Sequence, residues 1–91
     1  MIKRKHASGF NAIFADPDKA PLDQIMDGFD FVTRTIIEQS DKDIELNRAL
    51  GDAQAVIRDQ VKRSTIIHAR SILNTCAQRA TGKEVYDDYL E

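Results

Sequence analysis

Apolar residues recur along this chain at helical spacing. Leu22, Ile25, Phe29, Val32 and Ile36 follow one another at steps of three, four, three and four residues. That is the period of a heptad seam on one helix face. Met26, Thr33 and Ile37 widen one edge of it. Pro21 suits a first helical turn, where its missing N–H costs nothing, and Asp23 complements the positive end of the helix dipole. The pattern predicts a helix from about residue 21 to 39. Ser40-Asp41-Lys42-Asp43 then reads as a turn that caps the next helix.

A weaker, drifting seam follows from about residue 43 to 80, through Leu46, Leu50, Ala53, Ile57, Val61, Ile67, Ile72 and Cys76. Gly51-Asp52 is the plausible break, which gives predicted helices at 43–50 and 52–80. Unbroken, these 38 residues would span about 57 Å at 1.5 Å per residue. A compact chain of this length is only about 30 Å across. Either Gly51 breaks the helix or another chain completes the core. From Ile57 to Ala80 the apolar positions wrap wider than one seam, and Ala69, Ala77 and Ala80 permit close approach of a neighbour.

The two ends differ from this pattern. In residues 1–20, Ser8 is placed to cap a short helix with Phe10, Ile13 and Phe14 on one face. Asp16, Pro17 and Pro21 then turn the chain. At the other end, Thr81-Gly82-Lys83-Glu84 matches a capping box. A short helix over about 82–90 is expected there, with Val85 and Tyr89 sharing a face and Tyr86 flanking them. The expected fold is all-α: a helical hairpin or small three-helix bundle (residues 21–91) with a docked N-terminal leader (residues 1–20) and a short C-terminal helix.

Composition narrows the class. With 91 residues, 42% hydrophobic and 31% charged, the chain is a single globular domain with a small core. One cysteine, Cys76, excludes an intrachain disulfide scaffold. No apolar run reaches the length of a membrane helix, and Lys3-Arg4-Lys5 is not followed by the apolar stretch of a signal peptide. A cytoplasmic protein without membrane contact is expected. The net charge of −2 conceals four blocks of alternating sign: +2 over residues 1–20, −5 over 21–60, +4 over 61–80 and −3 over 81–91. Alternation of this kind suits antiparallel packing or complementary contact between chains.

No catalytic motif is present: there is no phosphate-binding glycine loop, CxxC, HExxH or nucleophile elbow. Ser64 lies one turn before His68, but nothing nearby would orient that imidazole as a triad requires. The two histidines and one cysteine share no local ligand spacing, so neither metal nor cofactor is expected. The basic residues carry a sharper alternative. Arg63 and Arg70 are two turns apart with Lys62 on the flank, and Lys3, Arg4 and Lys5 form a basic arm. Together they would suit nucleic-acid phosphates or an anionic nucleotide, against an acidic overall balance. The basic residues 3–5 followed by Ser8-Gly9-Phe10-Asn11-Ala12-Ile13-Phe14 are also similar to the short N-terminal segment of ParB-type partition proteins. Phenylalanine and isoleucine stand where that segment carries leucines, and the family's DNA-binding domain has no counterpart in the rest of the chain. The similarity implies a docking role for residues 3–14.

These readings lead to a small regulatory or interaction protein, not an enzyme. It self-associates as a dimer or higher homo-oligomer and binds another protein through helical surfaces. The contact residues expected are Phe10, Ile13, Phe14, Leu22, Ile25, Phe29, Val32, Ile36 and Ile67. A nucleic-acid-binding regulator, with Lys3, Arg4, Lys5, Lys62, Arg63 and Arg70 on phosphates, is one alternative. An oligomeric binder that sequesters an anionic small ligand such as a nucleotide is another.

Overall fold

A computed structural model describes residues 9–86. Lys3, Arg4 and Lys5, the Ser8 cap and residues 87–90 of the expected 82–90 helix lie outside the described residues. Within them the chain is all-α: α1 (Phe10–Ala15), α2 (Pro21–Leu50) and α3 (Ala53–Thr81), with no strand. It divides into two compact units at the Val32–Thr33 peptide, inside α2.

In the first unit, α1 begins after Gly9, whose carbonyl accepts from the Ala12 N–H at 3.1 Å. Asp16 then accepts from the Asp18 N–H at 2.9 Å, closing an Asx turn. Phe10 and Phe14 meet edge to face with ring centroids 5.0 Å apart, and Phe31 stands 6.2 Å from Phe10. The rings sit over Gly28, where a Cβ would come within 2.6 Å of Phe14 Cζ. Glycine inside a helix costs about 1 kcal/mol relative to alanine; at this position it makes room for a ring. Lys19 donates to Asp27, a bond that holds its ammonium above the ordinary lysine range. Gly28→Leu is therefore expected to keep or raise far-UV helicity while loosening α1. Tryptic cleavage after Lys19 should become several-fold faster; an unchanged cleavage rate would show that the Phe14–Gly28 contact holds nothing in place.

In the second unit, the rest of α2 and α3 run antiparallel. Thr33 is bonded to Arg70, Asp41 to Arg63 and Asn47 to Asp59, so rising numbers on α2 meet falling numbers on α3. The bend is short. Gly51 adopts φ +74°, and Asp52 caps α3 by accepting from the Ala55 N–H at 3.1 Å. This is the break anticipated at Gly51.

Three expectations are corrected. Residues 40–43 are helical, not a turn. Ser40 and Ile44 are buried on the same side as Thr33 and Ile37, and packing on that side outweighs the few tenths of a kcal/mol by which Ser and Asp disfavour a helix interior. The Gln39 side chain also bonds Asp43 across one turn at 3.0 Å. Secondly, the seam that fills the interior is not the one with the best heptad. Leu22, Ile25 and Val32 are exposed, and Phe29 and Ile36 are half-buried. The buried positions of α2 are Met26, Thr33, Ile37, Ser40 and Ile44, one edge further round. Finally, Thr81 ends α3 instead of capping a new helix. Its hydroxyl donates to the Ala77 carbonyl at 2.7 Å. Gly82 turns left-handed at φ +79°, its N–H donating to the Gln78 carbonyl at 2.7 Å, and residues 82–86 are not helical.

Candidate interaction surface

Two polar residues of α3, Asp59 and Arg70, are buried. Arg70 is 0% exposed. It donates to Thr33 Oγ1 and its guanidinium lies 4.4 Å from the centre of the Tyr86 ring, a cation–π arrangement. Tyr86 is held over it by Asn74. The Asn74 Oδ1 accepts from the Val85 and Tyr86 N–H groups at 3.0 Å each, and its Nδ2 donates to the Tyr86 carbonyl at 3.1 Å. One side chain thus satisfies three backbone groups and clasps the segment after Gly82 against α3. Losing these bonds removes about 2 kcal/mol of local stability. Asn74→Ala is expected to speed hydrogen exchange at the Tyr86 amide by roughly 30-fold while mid-α2 amides hardly change. Equal exchange in both proteins would mean the clasp is not what orders Tyr86.

The expected basic face is not formed. Arg70 is inside, and Arg63 is half-buried with its Nε donating to Asp41 at 2.6 Å. Of the three basic residues expected to share a face, only Lys62 is exposed. The reason is positional: residues 59, 63 and 70 share the side of α3 that meets α2. His68 and Ser64 are exposed and share a shallow hollow with Arg63, Ile67 and Ser71. Among the described residues, no group of three metal-ligating side chains exists and no helix is long and apolar enough to cross a membrane.

What the surface offers instead is apolar. Phe10, Phe14, Phe31, Leu22, Ile25 and Val32 are exposed in the first unit; Leu46, Leu50, Ile57, Val61 and Ile72 are exposed in the second. Ile13, Phe29, Ile36 and Ile67 are half-buried. Leu50 is 69% exposed and Leu46 57%, in a chain whose buried apolar residues are Met26, Ile37, Ile44, Ala55, Ala77 and Tyr86 among those described. The α2 heptad predicted for residues 22–36 continues in the sequence through Gln39, Asp43, Leu46 and Leu50, two of them polar.

The second unit has two unlike flanks. The Arg63–Asp41 pair closes one. The other carries Ile36, Asp43 and Leu50 from α2 and Lys62, Ala69 and Cys76 from α3, each set at seven-residue steps. At about 100° per residue these positions lie a quarter turn from the residues that join the two helices. The antiparallel ladder sets Ile36 about level with Ala69, and Asp43 about level with Lys62.

Tyr86, Asn74, Thr33 and Ser40 shape this unit and were not picked out as site residues. Thr33 and Ser40 stand seven residues apart in step with Met26, which is the signal that points to them. No protein-family model matches the sequence, and no curated protein or solved structure matches it at a significant level. No match supports the similarity of residues 3–14 to partition proteins.

Proposed function

We propose that this chain is a small helical interaction protein that works as a homo-oligomer, through contacts between chains instead of catalysis. The observation that carries the reading is the exposure of Leu46 and Leu50 on α2 of the second unit, each more than half accessible. Each large aliphatic side chain left in water forgoes about 1.5–3 kcal/mol of burial, and exposed apolar side chains grouped on one helix face mark interaction sites. A heptad seam is also the pattern that helices use to pack on other helices. The aromatic cluster of Phe10, Phe14 and Phe31 gives the first unit a second apolar surface, suited to a protein partner.

Light scattering on the purified chain at micromolar concentration is expected to return a multiple of 10.3 kDa. A variant carrying Leu46→Glu and Leu50→Glu should return 10.3 kDa with an unchanged far-UV spectrum, because both side chains already face water. A wild-type mass of 10.3 kDa at all concentrations would overturn the proposal.

A further inference from the structure

Self-association leaves open which helix meets which, and charge separates the choices. Within the second unit α2 carries four acidic and three basic side chains, and α3 carries five basic and one acidic. Two copies of α2 side by side, each net −1 over this stretch, gain nothing from charge. In parallel register they also stack Asp43 on Asp43 at a seam position, where an unpaired carboxylate is costly to bury. Two copies of α3, each net +4, repel. Only α2 against α3 is complementary in sign.

The open flank of the second unit is complementary in detail as well. Ile36 is large and Ala69, at its level, is small; Asp43 is acidic and Lys62, at its level, is basic. A two-fold axis parallel to the helices carries the α3 flank of one copy over the α2 flank of the other without changing level. Every contact is then made twice, as an isologous interface requires. Resting on the self-association proposed above, we infer that a second copy of this chain docks on this flank, with α2 of each copy against α3 of the other. Ile36 sits over the partner's Ala69, and Asp43 sits over the partner's Lys62. The four helices form an antiparallel bundle with both bends at one end.

Single-cysteine chains test this arrangement. With Cys76→Ser as background, Ile36→Cys and Ala69→Cys are made as two separate proteins. Under mild oxidation each alone should stay uncrosslinked, because the axis keeps like helices diagonal to one another. After mixing and subunit exchange, a covalent dimer with one chain of each kind is expected, identified by mass. Crosslinking of the Ile36→Cys chain to itself would overturn the arrangement in favour of α2 on α2. So would a mixture that fails to crosslink while wild-type scattering still reports an oligomer. A monomeric wild type would instead overturn self-association itself.

A charge exchange gives a second readout without oxidation. Asp43→Lys sets lysine against lysine in its own homodimer, and Lys62→Asp sets aspartate against aspartate. Each should self-associate roughly tenfold more weakly than wild type, and mixing the two should restore wild-type affinity through two opposite-sign contacts. Undiminished self-association of both single variants would sink the pairing.

Discussion

Arg70→Ala is expected to destabilise the chain by about 3–5 kcal/mol, a large share of what a small domain possesses. The side chain is fully buried, so its removal empties a volume that the two helices cannot easily close. It also strips Thr33 of a hydrogen-bond donor and leaves the Tyr86 ring without the cation it covers. For a domain of this size the loss corresponds to a fall in Tm of roughly 15–30 °C, measured at fixed chain concentration. Arg70→Met distinguishes charge from volume. It fills most of the space and leaves no buried charge, and replacement of buried ionic groups by apolar ones of similar size is often tolerated. The methionine variant should therefore recover more than half of the alanine loss. If both variants melt with the wild type, Arg70 does not organise the second unit.

The second large effect contrasts two adjacent isoleucines. Ile37 is 2% exposed, and Ile37→Ala is expected to cost about 3 kcal/mol, read as a lower urea midpoint with little change in slope. Ile36 is half-buried on the open flank. Ile36→Ala should change the unfolding of a dissociated chain by about 1 kcal/mol or less, yet weaken self-association. Chemical denaturation at low concentration and sedimentation at high concentration separate the two. Equal effects of both substitutions on folding, with none on association, would contradict the division of α2 into a filled side and an open side.

That division was only half legible in the sequence. Heptad spacing placed helices over residues 21–39 and 52–80, and both are present, with a break at Gly51. A period, however, says that a stripe exists, not which stripe is inside. Leu22, Ile25, Phe29, Val32 and Ile36 form the more apolar stripe, and burial falls beside it on Met26, Thr33, Ile37, Ser40 and Ile44. Thr33 and Ser40 read as polar; their small size is what lets another helix approach. The predicted turn at residues 40–43 rested on Ser and Asp, which favour caps when exposed and lose that preference when packing holds them in a helix. The two-turn spacing of Arg63 and Arg70 predicts a shared basic face, and arginine is almost never fully buried; the partners of Arg70, Thr33 and Tyr86, lie 37 and 16 residues away. Residues 82–86 of the expected C-terminal helix are not helical, because the glycine that fits a capping box also fits a left-handed stop.

The short bend at Gly51 has a kinetic consequence. The ladder above it closes loops of increasing size: Asn47 to Asp59 spans 12 residues, Asp41 to Arg63 spans 22, and Thr33 to Arg70 spans 37. Each rung shortens the loop left for the next, so the closure entropy is met in small steps. The hairpin is expected to zip outward from the bend at low contact order and to fold fast. Arg70 stands at the far end of that ladder, and it locks a structure already largely formed. Its contribution falls on the rate of unfolding, as for any contact made after the transition state. The buried arginine is accordingly a determinant of how long the folded chain lasts more than of how quickly it arises.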